Sequence, residues 1–397
     1  MTKHIKGTSM LVLLILTIVL VFTGCGSNGE QKLSMEELDQ ITEEANSDKI
    51  EKEEKPKAGS GDDTKISTET TDEETEKKNE EDATDVKEEP VIEEGTRSKL
   101  TGEIISDEIV NRRPFVVMLD NQYSARPQAS LSDADIVYEL LAEGKITRYM
   151  AVIQSKEPES VGPIRSARPY FIDKAIEYDP IYVHVGGSEQ AKKDIRSLKM
   201  AEVDGLSCSA KAMWRTKHKK IPHNMYSSYD ALTYEANRKN YRTEAEFKGF
   251  NFDLAGYVPE GSSAVNVKIP YKAPTSRDKV GYTSEFRYDE TSGQYLRYVN
   301  NDAYKDEKTK IHLSASNVII QRANHKVIDN EGRLKVDLVG KGSGFFLTKG
   351  KSMPITWEKS SRRAATVYYD SEGNEIVLNV GVTWIQVIPA DMKLTVK

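Results

Sequence analysis

Apolar and polar positions change rhythm several times along the chain, and each change marks an element. "PFVVMLDN", residues 114–121, is an apolar run closed by Asp120 and Asn121, the pattern of a strand ending in a turn. "ADIVYELLAEGKITRYMAVIQS" holds two further runs, roughly 135–141 and 146–154, with "AEGK" between them as a hairpin loop. "RPYFIDKAIEYD" reads as a helix begun by Pro169 near its first position, where a missing N–H costs nothing. "PIYVHVGG" is a β-branched strand that ends in Gly186-Gly187 and runs into "SEQAKKDIRSLKM", a helix with Ser188 as N-cap. Strands mixed with helices over residues 104 to about 250 predict an α+β or α/β domain. From 262 onward the rhythm is different. "SAVNVKIPY", "SEFRYDE", "QYLRYVN", "SNVIIQRA", "GSGFFLTKG", "KSMPITWEKS" and "TWIQVIP" are short alternating segments, parted by turn signals such as Asn300-Asn301 and Asp370-Ser371-Glu372-Gly373. That spacing predicts a mostly antiparallel β region. The division that results is a mixed α/β domain over 98–255 and a β-rich C-terminal domain over 256–397.

The N-terminal quarter has neither rhythm. Lys3 and Lys6 precede an apolar run from Met10 to Phe22, about 13 residues, which is the length of a signal-peptide h-region and short of a spanning helix. The run stops at Thr23-Gly24-Cys25, which resembles a bacterial lipobox. That resemblance implies removal of residues 1–24 and a diacylglycerol on the sulfur of Cys25, hence a protein held by a lipid anchor at the extracytoplasmic face of the cell membrane. Residues 25–97 are almost free of aromatic and large apolar side chains, so they cannot offset the entropy of ordering and are expected to be a disordered acidic tether. Charge follows the same division. Residues 30–97 hold 25 carboxylates against 10 cations, while the whole chain stands at −7; with Lys3 and Lys6 counted, residues 98–397 carry +6. A mildly basic body behind an acidic leash favours anionic envelope partners. With an exported anchor, no nucleic-acid partner is expected. The second cysteine, Cys208, has no intramolecular partner once Cys25 is acylated, and reads as a small buried hydrophobe.

The candidate chemistry centres on "VGPIRSARPYF", residues 161–171, where Arg165 and Arg168 stand between two prolines. A guanidinium pair next to a helix start is suited to holding an anion. Arg113, Arg126 and Arg148 also lie beside turns of the same domain, so up to five arginines are expected to meet at one sheet edge, with Gly186, Gly187 and Ser188 of the strand–helix junction nearby. Asp120, Asp133, Asp135, Glu139 and Glu143 are the acids available to pair with them. Two readings stay open: an internal salt-bridge network, and a site for a phosphate or other anion. Asn121, His184, His223 and Asn224 are further polar candidates, with His184 read as a satisfied core histidine and His223 as a general base or a structural cap. No metal site and no cofactor are expected, since the six histidines are scattered without an H-x-x-x-H pair and there is no Walker or dinucleotide-binding fingerprint.

"RRPFVVMLDN", "ARPQASLSDADIVYELLAEGKITRYMA", "VGPIRSARPYF", "YVHVGGS", "PHNMY" and "GVTWIQVIP" together resemble the YerB-type bacterial lipoproteins, across essentially all of 104–397. That family is defined by a domain of unknown function followed by a β-rich C-terminal domain. The resemblance implies a lipid-anchored surface protein and no particular activity. The expectation is a non-catalytic binding or scaffold protein for an anionic wall polymer or another envelope protein. The alternative is an enzyme acting on phosphorylated or polyprenyl-linked cell-wall precursors through the arginine cluster. For that alternative, the layout of "ITRYMAVIQSKEPESVGPIRSARP" is similar to the strand–hairpin–strand–Arg arrangement of the LytR-CpsA-Psr phosphotransferases.

Overall fold

The structure is a computed structural model in which residues 94–276 and 279–397 are described. The expected signal peptide (1–24), the acylated Cys25 and nearly all of the expected tether lie outside the described residues. The first half contributes β1 (Phe115–Asp120), β2 (Ile136–Leu141), β3 (Thr147–Ile153), helix α1 (Pro169–Ala175), β4 (Ile181–His184), α2 (Glu189–Ser197) and β5 (Ala201–Asp204). A short ribbon, β6 (Trp214–Arg215) with β7 (Met225–Tyr226), precedes α3 (Tyr229–Arg238). In the second half, β8 (Asn266–Lys272), β9 (Tyr282–Asp289) and β10 (Gln294–Val299) form an antiparallel meander within a six-stranded sheet. The remaining long strands are β11 (Asn317–Ala323), β12 (Gly340–Thr348), β13 (Lys351–Lys359), β14 (Val367–Tyr369) and β15 (Thr383–Pro389).

Those last five strands do not close on themselves. They continue the sheet of the first half in the order β14-β13-β12-β11-β15-β2-β3-β1-β4-β5, with Ser262–Ser263 pairing β13 as an eleventh strand. The seam is parallel: Ile136 stands opposite Thr383 and Leu140 opposite Val387. A mixed α/β first half and a β-rich second half are therefore both present, and one sheet draws strands from each side of residue 256.

Every residue of β1, β2 and β3 is buried, as expected for strands covered on both faces. Phe171, Ile172 and Ala175 of α1 and Ile195 of α2 share a core with Val116, Met118, Tyr138, Met150 and Val152 on one face. On the other, Tyr149 of β3 and Phe286 of β9 pack edge-on against Trp384 of β15, with ring centroids 5.7 and 5.8 Å apart, so the second sheet lies across the first. Tyr229 of α3 covers Phe115 on that side at 5.4 Å.

Between the two sheets lies a buried polar knot. Glu139 and Arg297 are both fully shielded from solvent and 3.1 Å apart. The carboxylate also accepts from Thr147 Oγ1 (2.8 Å), Tyr282 Oη (2.5 Å) and Ser284 Oγ (3.1 Å). An isolated charge in such a place is untenable, and the pair survives because every lone pair of the carboxylate is used. Glu139 thus serves sheet-to-sheet packing and does not join the arginines of residues 148–168.

Candidate functional site

The segment 161–168 is stitched into the carboxyl end of the first sheet. The Arg165 N–H donates to Met118 O (2.9 Å), the Asp120 N–H to Pro163 O (2.9 Å), the Val185 N–H to Arg165 O (3.1 Å) and the Ala167 N–H to Gly186 O (3.0 Å). The segment therefore bridges the exits of β1 and β4, at the strand ends where open α/β sheets carry their sites. Glycine is needed there. Gly186 has φ +63°, and a Cβ on Gly187 would stand 3.2 Å from both Cβ and O of Ala167. Ser188 caps α2 as expected, its Oγ accepting from Ala191 N at 3.3 Å.

Three of the five arginines converge. Arg148, the register partner of Asp120 on β3, donates through Nη1 to Ser166 O (2.8 Å) and through Nη2 to Glu143 Oε2 (3.1 Å). Arg168 Nε donates to the other oxygen of Glu143, and its Nη1 donates to Ala167 O (2.8 Å). Arg165 Nε lies 3.3 Å from Asp120 Oδ2. All three are at least nine-tenths buried. Burial alone would raise the Glu143 carboxyl, but Arg148 and Arg168 overcome it and hold it at about 2. Asp120 is likewise kept well below the usual carboxylate range, Arg165 and then His223 outweighing desolvation. Burial, then the neighbouring Arg168, lowers Arg148 from its ordinary value. The hydroxyls of Tyr170 and Tyr182, both buried, face this group without a hydrogen-bond partner among the described residues.

The other two arginines are elsewhere. Arg113 precedes β1 and therefore sits at its opposite end, roughly 20 Å away at the rise of an extended strand; there it donates to Asp179 O (2.8 Å) and pairs with the Asp179 carboxylate (3.3 Å). Arg126 is held by Asn121, with Nε donating to Oδ1 at 2.9 Å, and lies over the Tyr282 ring at 4.3 Å. Asn121 itself donates to Thr147 Oγ1 (2.6 Å) and Tyr282 Oη (2.8 Å), which makes it part of the packing between sheets. Asp135 caps the turn after β3, accepting from Gln154 N and Ser155 N, and Asp133 lies on the outer side near Lys156.

His184 is a satisfied core histidine, its Nδ1 2.7 Å from Gly186 O and its Nε2 2.9 Å from Glu202. Asn224 locks the β6–β7 ribbon, accepting from Arg215 (2.7 Å) and donating to Thr216 O (2.9 Å). His223 joins the arginine group directly. Its Nδ1 stands 2.7 Å from Asp120 Oδ2 and donates to that carboxylate, which orients the ring. Cys208 is half-buried and not fully enclosed. Among the described residues no three His, Cys, Asp or Glu side chains converge as a metal site.

Several charged groups escaped the sequence reading. Arg297 is one, although the alternation of "QYLRYVN" puts it on the same inward face as Tyr295 and Val299. Glu307 is another: it collects Lys219 (2.9 Å), Tyr226 Oη (2.5 Å) and His218 (2.5 Å) and so ties the loop after β6 to the second sheet's edge. A third group is the fully buried Lys174 and Lys359 around Glu177.

Residues 100–242 match the family described as protein of unknown function (DUF3048) N-terminal domain, and residues 273–385 match its C-terminal domain. A Bacillus subtilis (strain 168) protein named "Putative lipoprotein YerB" is 35% identical over 293 residues, 74% of this chain and 86% of that protein. The crystal structure of the YerB protein from Bacillus subtilis superposes with a TM-score of 0.68 at 34% identity, covering 76% of this chain and 99% of that one. The chain belongs to this YerB-type, DUF3048 family.

Proposed function

We propose, with membership of that family as the premise, that the chain is a lipid-anchored protein of the outer face of the cytoplasmic membrane that binds or scaffolds an envelope partner and carries out no chemistry of its own. The anchor rests on Cys25 at the end of its apolar run and on the similarity to a Bacillus relative named a putative lipoprotein. The observation that carries the non-catalytic reading is the state of the arginines. Arg148, Arg165 and Arg168 are buried against Glu143, Asp120 and main-chain carbonyls, so gripping a transferred phosphoryl group would require breaking ion pairs already made.

Thermal melts test this. Arg165→Ala and Arg168→Ala are each expected to cost roughly 1–3 kcal/mol, because each removes a buried charged hydrogen bond while Asp120 keeps His223 and Glu143 keeps Arg148. Variants that melt like the parent, together with a parent stabilised by inorganic phosphate, would transfer the cluster to the anion-site reading. Membrane fractionation of Cys25→Ala tests the anchor, since the variant should leave the membrane or stay unprocessed.

One observation favours the rival, an enzyme acting on phosphorylated or polyprenyl-linked cell-wall precursors. The Asp120–His223 pair orients an imidazole whose Nε2 has no partner among the described residues, the arrangement of a general base. Turnover of a soluble polyprenyl pyrophosphate by the parent, lost in His223→Asn, would establish it.

A further inference from the structure

A cavity lies at the other end of the first sheet, away from the arginine cluster. It encloses about 630 Å³ below the N-terminal ends of β4 and β5. Five cations line it (Arg113, Lys199, Arg242, Lys248 and Arg363) against three carboxylates. Two of those three are already occupied. Asp179 lies between Arg113 and Arg242. Glu177 is turned inward, where the fully buried Lys174 and Lys359 share it at 3.5 and 2.9 Å, so the wall behind the cavity holds two cations to one anion. Lys199 makes no side-chain hydrogen bond or ion pair among the described residues, and Arg363 donates to Leu198 O, which neutralises the carbonyl end of α2 facing the space. Lys199, Arg242, Lys248 and Arg363 form an exposed rim with Glu246. Lys248 is paired with Glu375 at 2.7 Å, so Lys199 and Arg363 are the rim cations without a carboxylate partner among the described residues. Leu198, Met200 and Phe247 are half-buried apolar side chains.

We infer that this cavity binds a polyol chain linked by phosphodiesters, with phosphates on the rim cations and the carbon backbone over the apolar floor. The inference rests on the binding reading above and assigns that reading its ligand and its place. A positive rim around an apolar floor discriminates against two competitors. A purely charged ion gains nothing from the floor, and a neutral sugar leaves the cations unmatched. Spaced phosphates engage several rim charges at once, and each released counterion makes binding fall as salt rises.

Titration calorimetry of the full chain in detergent, with poly(glycerol phosphate) as the probe, tests it. Lys199→Glu/Arg363→Glu is expected to weaken binding at least tenfold and flatten its salt dependence. Lys310→Glu/Lys326→Glu carries the same charge change on remote exposed positions and is expected to bind within about twofold of the parent. Equal loss in both variants would show a diffuse charge effect and overturn the site. Unchanged binding in the cavity variant, with binding in the parent, would overturn the location while leaving the polymer-binding reading intact. No binding to the parent, or binding only to anionic vesicles, would overturn the ligand class. Far-UV circular dichroism and melting of each variant establish that it is folded.

Discussion

At the scale of single residues, Glu143 is the side chain on which the arginine group depends. It sits in the β2–β3 hairpin and takes Arg148 on one oxygen and Arg168 on the other. Its carboxyl is held at about 2, below the ordinary value near 4.5, so it binds fewer protons folded than unfolded across that interval. The corresponding stability is fully present above about pH 4.5 and is lost as pH falls toward 2. Glu143→Gln should therefore lower stability at pH 7, and most of that difference from the parent should be gone by pH 2.5, which denaturant midpoints at the two pH values would check. Arg297 gives a sharper contrast. Arg297→Met leaves the Glu139 carboxylate buried and unpaired, at a cost of roughly 3–5 kcal/mol. Adding Glu139→Gln removes that charge and should recover part of the loss, a coupling that a double-mutant cycle in urea measures directly.

At the scale of elements, α1 is joined to the second half of the chain by Lys174. This lysine donates to Thr366 Oγ1 (2.6 Å) and faces Glu177, which Lys359 of β13 also contacts. Burial drives its ammonium down to about 8, with Glu177 opposing the shift only in part. A base depressed in the folded state is a penalty at low pH that fades as pH rises from about 8, since the unfolded chain then holds more protons. Lys174→Met leaves Glu177 with its Lys359 partner, so the variant should be at least as stable as the parent at pH 7. The difference should shrink between pH 8 and 9; comparing the two proteins cancels the shared destabilisation from buried tyrosines at higher pH. The elements themselves were mostly legible. Pro169 opens α1, Ser188 caps α2, and the apolar runs of β1, β2 and β3 carry their own boundaries. Local spacing could not supply the register between distant strands. It grouped Arg113 with Arg165 and Arg168 because all three lie beside turns, yet a strand separates its two ends by its whole length. It could count "TWIQVIP" as a strand without showing that β2, some 245 residues earlier, is its neighbour.

At the scale of the whole molecule, that pairing governs how the chain comes apart. β15 is hydrogen-bonded to β11 on one side and to β2 on the other, so it is an interior strand built from both halves. Trp384 within it is buried between Tyr149 of the first half and Phe286 of the second. Separating residues 98–255 from 256–397 would open a full strand edge, strip the cover from Tyr149, and leave Glu139 without Arg297. Each of these is a cost the separated halves cannot recover internally. The two halves should therefore unfold together. Calorimetry of the full chain is expected to give one transition for the body, with van't Hoff and calorimetric enthalpies in agreement. Trp384→Ala should lower that single midpoint, by roughly 3–5 kcal/mol of stability for a large buried aromatic, without splitting it. Two resolved transitions in the parent, or a 98–255 fragment that melts cooperatively by itself, would show instead that the parallel seam is only an interface between independent domains.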